Sequence, residues 1–267
     1  MKTICTFLLV VSINLCFAAK VDTVSVFSKS MQKEIKSSVV IPDGYNKTKK
    51  YPVIYLLHGY NGNYKDWVQY PVTKNLADKH EIIIVCPDGG FSSWYFDSPI
   101  DKSSQYETHI TKELIPWIDE NYRTIANKKG RGITGLSMGG HGALYLAFRN
   151  QNLFGAAGSM SGGVNFLPFP DDWEIAKHLG NYKDNQQLWE RSTVTNMLFL
   201  FTPRSLALII DCGTEDFFYN VNRELHEKMR YLNIPHDFIS RPGEHDWDYW
   251  QNAVKYQVLF MSEFFGQ

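Results

Sequence analysis

The sequence predicts an α/β architecture: a mainly parallel, doubly wound sheet with helices on both faces. Three observations predict it. Six apolar runs of strand length recur along the chain, and they are continuous rather than alternating, as strands covered on both faces read. Segments with helical spacing separate them. The loops after the runs gather serine, aspartate and histidine, and chemistry in such folds sits at the carboxyl edge of the sheet.

Composition is compatible with this. The chain has 267 residues, 44% hydrophobic and 21% charged, with no internal repeat or low-complexity tract. That is ordinary globular usage, and the length suits one large α/β domain. A formal net charge of −1 leaves no electrostatic footprint for nucleic acid or an acidic membrane surface.

The elements follow in order. Lys2 precedes an apolar run over residues 4–18 that ends in "CFAA", the pattern of a secretory signal peptide over residues 1–18. The run is too short and interrupted for an integral membrane span, which needs about 20 apolar residues. Cleavage after Ala18 puts Cys16 and Ala18 at the two small positions. Cys16 as a lipid anchor fits less well, because Asn14 and Leu15 precede it. Export is therefore expected, to a secreted or periplasmic location. Residues 19–267 read as a single domain.

Residues 21–27 alternate as a half-buried strand, and residues 33–41 read as its hairpin partner, stopped by "PDGY". The apolar runs then fall at residues 51–59, 81–90, 131–137, 154–163, 206–213 and 236–243. Helices are expected at residues 70–79, 102–122, 137–149, 217–232 and 247–265. In the second, Ile110, Leu114, Trp117 and Ile118 share one face; in the fourth, Phe218, Leu225, Met229 and Leu232 do. Residues 164–203 break the rhythm. They are longer than an ordinary connection, rich in aromatics, and read as a small helical cap insertion. Cys86 and Cys212 each end an apolar run and read as buried strand-end residues. Neither stands in a close Cys/His pattern, so no metal site and no cofactor are expected.

The stretch "GLSMGGHG", residues 135–142, lies between a strand and a helix. It matches G-x-S-x-G at Gly135, Ser137 and Gly139, a turn that pushes a serine hydroxyl into the site. The turn puts Ser137 at a helix N-terminus, where the Met138 N–H is free to hold an oxyanion. A nucleophilic serine needs a base, and the base needs an orienting acid. Downstream, "DCGTEDFF" follows one apolar run and "PGEHDWDYW" follows the next. His245 is the candidate base and Asp216 the candidate acid. Glu215 is the nearest competitor. Asp211 sits within its strand, and Asp246 and Asp248 suit a helix cap. A second oxyanion donor is expected from "HGYNGN", at the Tyr60 N–H. His58 reads as structural, and His80, His109, His178, His226 and His236 as surface or packing residues. His141, one turn after Ser137, is a candidate lining residue. Trp94, Tyr95 and Trp173 are candidate stacking surfaces for sugar or an aromatic acid.

Together, "YPVIYLLHG", "GLSMGGHGAL", "DCGTEDFF" and "GEHDWDYW" resemble the esterase family that contains S-formylglutathione hydrolases, secreted mycolyltransferases, and the feruloyl and acetylxylan esterases of carbohydrate esterase family 1. The resemblance runs over about residues 24–264. It implies an α/β-hydrolase fold with strand order 1-2-4-3-5-6-7-8, in which the strands ending at Cys86 and Cys212 are not neighbours. It implies nucleophile, acid and base at Ser137, Asp216 and His245, and oxyanion amides at Met138 and Tyr60. Export points to a small-molecule or oligosaccharide ester of plant-type carbohydrate, and away from cytosolic thioester detoxification. A non-catalytic sugar-binding protein and a peptidase on the same scaffold are the other readings. Oligomeric state is not written in these motifs.

Overall fold

The structure, a computed structural model, describes residues 19–266. The expected signal peptide, with Cys16, lies outside the described residues. Eight strands form one sheet: β1 (Lys20–Ser28), β2 (Lys33–Ile41), β3 (Val53–Leu57), β4 (Ile83–Pro87), β5 (Arg131–Gly135), β6 (Ala156–Met160), β7 (Ala207–Gly213) and β8 (Asp237–Arg241). Their order is β1-β2-β4-β3-β5-β6-β7-β8. The β1–β2 hairpin joins antiparallel, and every pairing from β4 to β8 is parallel. This is the α/β-hydrolase arrangement.

The continuous apolar runs have a direct cause. In β3, Val53, Tyr55 and Leu57 point into one core and Ile54 and Leu56 into another, all at most 1% exposed. Successive side chains of a strand face opposite sides, so a sheet covered twice needs apolar residues at every position. The first core is closed by the helix Met138–Arg149, the second by Pro71–His80 and Trp247–Phe265. Burying each such aliphatic side chain stabilises the fold by about 1.5–3 kcal/mol. At the edge, β1 keeps its alternation: Val26 is buried and Phe27 beside it is exposed.

The largest departures from the expected helix bounds fall in the second helix and in the helix after β7. The second helix begins at Tyr106, not at residue 102. Asp101 accepts from the Ser103 N–H and hydroxyl, and such side-chain bonds hold a turn in competition with helix. Further along, the helix widens to a π turn over His109–Leu114 just ahead of Pro116, a way to accommodate a residue without an N–H. The helix after β7 runs Tyr219–Tyr231, with Phe218 as its N-cap. Leu232 falls past its end and is half exposed.

Between β6 and β7 the chain forms short helical turns, the longest being Gln186–Ser192. Phe166, Ile175 and Trp189 from this stretch are buried in the first core. Cys86 and Cys212 are buried free thiols on non-adjacent strands. Among the described residues, no helix is long and apolar enough to cross a membrane.

Candidate active site

Ser137 stands between β5 and the helix Met138–Arg149 with φ 54° and ψ −119°. That is a region non-glycine residues enter only under constraint. The constraint is visible in the neighbouring glycines. A Cβ on Gly139 would lie 2.5 Å from the His58 carbonyl oxygen and 2.6 Å from that of Leu57. One on Gly135 would lie 2.6 Å from the Gly139 carbonyl oxygen. The turn is pressed against the end of β3, and only hydrogen atoms fit there. Ser137 is consequently raised at the carboxyl edge, 9% exposed.

The loops after β7 and β8 deliver the two partners. His245 Nε2 lies 2.9 Å from Ser137 Oγ, and His245 Nδ1 lies 2.8 Å from Asp216 Oδ2. A carboxylate only accepts, so Nδ1 donates to Asp216 and the Nε2 lone pair faces the hydroxyl. The other Asp216 oxygen accepts from the Phe218 N–H at 2.7 Å. The Asp216 side chain is fully buried, whereas that of His245 keeps 14% exposure.

The competing acids are occupied elsewhere. Glu215 accepts from the Gly243 N–H, and the Glu215 N–H donates back to the Gly243 carbonyl at 3.1 Å. Glu215 thus staples the His245 loop to the Asp216 loop. Asp211 is buried under the sheet edge, where it holds the Tyr249 hydroxyl and, at 2.6 Å, Arg241. Asp246 caps the last helix through the Tyr249 N–H at 2.8 Å.

Met138 N–H opens its helix, and Tyr60 N–H belongs to the turn after β3. Among the described residues neither has an acceptor within the chain. Met138 directly follows the serine, and Tyr60 follows Gly59, where an added Cβ would lie 3.4 Å from Ser137 Cβ. His58 braces this turn. Its Nδ1–H donates to the Gly59 carbonyl and its Nε2 accepts from the Gly89 N–H, both at 2.7 Å.

Trp94 and His141 are placed differently from their expected lining role. Trp94 is 1% exposed and His141 0%. They pack against each other and Phe166 beneath the site, with centroids 5.3–5.4 Å apart. The His141 Nε2–H donates to the Ser192 carbonyl at 3.0 Å. An aromatic cage leaves no ring face for a ligand, so both are packing residues; Tyr95 is buried likewise. Trp173 remains partly exposed.

Burial pushes the His141 imidazole down from 6.5 to about 4. The folded pKa lies below the unfolded one, so the unfolded chain takes the proton first. Stability is therefore full above about pH 6.5 and falls as the pH drops towards 4. The contribution is about 3 kcal/mol at 1.36 kcal/mol per pKa unit. Urea titrations at pH 7 and pH 4.5 are expected to show a smaller acid loss in His141→Gln than in wild type. Equal losses would place the acid sensitivity in other groups.

Two aromatic side chains of the site were not assigned from sequence. Phe217, next to Asp216, is half exposed; its ring lies 4.2 Å from that of His245 and stacks on Trp173 at 15°. Phe91 is 55% exposed and meets Tyr60 edge-on. Their signal was position: each is an aromatic residue directly beside a loop motif.

The strand order and the strained serine turn define an α/β hydrolase. The chain belongs to the esterase family whose model, described as Putative esterase, matches residues 28–261. It is 30% identical to a Mycobacterium tuberculosis esterase over 240 residues, covering 78% of this chain and 52% of that one. It thus spans about half the length of the first mycobacterial relatives it matches. It is 25% identical to the acetyl esterase of Caldicellulosiruptor saccharolyticus over 260 residues, 90% of this chain and 97% of the relative. A solved ferulic acid esterase matches with TM-score 0.82 at 31% identity, covering 93% of this chain and 99% of the other.

Proposed function

We propose that the protein is an exported serine carboxylesterase acting on acetyl or feruloyl esters of carbohydrate. The observation that carries the reading is the hydrogen-bonded series Ser137–His245–Asp216, at 2.9 and 2.8 Å. In this reading His245 Nε2 takes the hydroxyl proton as Ser137 Oγ attacks the ester carbonyl. The Met138 and Tyr60 N–H groups hold the oxyanion. The alcohol leaves with the proton from His245, and water repeats the sequence to release the acid. Asp216 orients the imidazole and stabilises its charged form.

The ester class is supported by the acetyl esterase and ferulic acid esterase among its relatives. It is also supported by the Phe217–Trp173 stack beside His245, a flat apolar wall suited to an aromatic acyl group. Export is supported by the signal-peptide pattern of residues 1–18. A panel of 4-nitrophenyl acetate, methyl ferulate, acetylated xylotriose and S-formylglutathione tests the reading on purified protein. Turnover is expected to favour the ferulate or acetylated-sugar ester. Dominant S-formylglutathione hydrolysis would replace it with a thioesterase.

A further inference from the structure

We propose that the cleft between loop 90–104 and segment 174–178 is the alcohol-side subsite and holds a sugar ring of the substrate. This rests on the esterase reading above. The cleft encloses about 390 Å³ and is lined by Phe91, Ser92, Asp101, Glu174, Lys177 and His178, among others. Its location follows from contacts with the serine turn. The Asn61 N–H donates to the Phe91 carbonyl at 2.8 Å, and the Phe91 and Tyr60 rings meet at 4.9 Å. Gly59, one residue before Tyr60, packs on Ser137. Phe91 is therefore tied to the serine turn through Asn61, Tyr60 and Gly59, which places the cleft beside the loop that carries the Tyr60 N–H.

The chemistry of the walls selects the ligand. An exposed phenyl ring offers a flat apolar face, as the C–H face of a pyranose requires. Around it stand groups that donate and accept. Glu174 accepts from the Ser92 hydroxyl at 2.9 Å and pairs with Lys177, whose side chain remains 64% exposed. Ser92 Oγ also lies 3.2 Å from His178 Nε2. Asp101 uses one carboxylate oxygen on Ser103. Lys33 and Lys177 balance Asp101 and Glu174, so the cleft carries no net charge to favour an anion or a cation. A neutral, hydroxyl-rich ring matches an apolar platform with mixed donors and acceptors. The larger groove between helices Pro71–His80 and Trp247–Phe265, about 600 Å³, is lined by these two helices and by no residue of the Phe91 loop, which touches the Tyr60 turn.

The test compares acetylated xylotriose with 4-nitrophenyl acetate in wild type, Phe91→Ala and Phe91→Trp. In Phe91→Ala the kcat/KM preference for the sugar ester is expected to fall about tenfold, through KM, the size of one lost aromatic contact. Phe91→Trp, which keeps a platform, is expected to retain it. Calorimetry with unesterified xylotriose reads the same site without turnover: wild type binds and Phe91→Ala binds about tenfold more weakly. An unchanged preference, or equal losses on both esters, overturns the subsite and assigns Phe91 to support of the Tyr60 turn. Absence of xylotriose binding by wild type overturns it as well. Failure of the esterase reading looks different: no ester is hydrolysed, whatever the calorimetry records.

Discussion

Ser137→Ala is expected to lower kcat by about 10⁴-fold or more on any ester the protein hydrolyses. The substitution removes the hydroxyl oxygen that His245 Nε2 faces at 2.9 Å. It leaves the turn in place, because the φ of 54° is imposed by packing against the end of β3 and not by the hydroxyl. A residual rate above water is still expected, since Met138 and Tyr60 N–H groups remain to polarise a bound carbonyl. Thermal unfolding is expected to be little changed, separating loss of chemistry from loss of fold. Turnover near the wild-type rate would mean that Ser137 is not the nucleophile.

Asp216→Asn is expected to cost about 10³–10⁴-fold in kcat with the fold intact. The reasoning is one of donors and acceptors. The Phe218 N–H, 2.7 Å from Asp216 Oδ1, requires an oxygen at that position. The Asn side chain then turns its NH₂ towards His245 Nδ1. Two donors cannot face each other, so the imidazole moves its proton to Nε2, and Nε2–H confronts the Ser137 hydroxyl with no lone pair to accept. Glu215→Gln is the control. Its oxygen can still accept from the Gly243 N–H, so activity is expected within a few-fold of wild type. If Glu215→Gln were the damaging change and Asp216→Asn the mild one, the acid would be misassigned.

Some features were legible because a local rule governs them. The helix Trp247–Phe265 and strand β2 have the bounds their patterns predict. An Asp cap and a "PDGY" stop are local chemistry. The apolar runs marked all six strands of the parallel part, β3 to β8, though each run overshot its strand by one or more residues. Loops that approach a core are apolar too, and periodicity does not distinguish them. The candidate triad was legible from the chain order of Ser137, Asp216 and His245 and from the loops in which they lie.

Other features depended on what packs against what. Trp94 and Phe91 stand three residues apart in one loop, and their types alone favour Trp94 as the binding surface. The fold reverses this. The Trp94 N–H is drawn to Met138 Sδ at 3.4 Å and its ring is enclosed by Phe166 and Trp173, while Phe91 is left facing solvent. His141 is carried inward by its helix in the same way.

By itself, the sequence determined the α/β rhythm, the strained serine turn and the candidates for base and acid, because spacing, glycine content and strand-to-loop position are local properties. The tertiary structure alone decided which acid meets His245, that Glu215 staples the two loops, and which aromatic rings border the site. Those outcomes depend on hydrogen bonds and packing between segments up to 108 residues apart, where residue type does not specify which side chain a neighbouring element will cover.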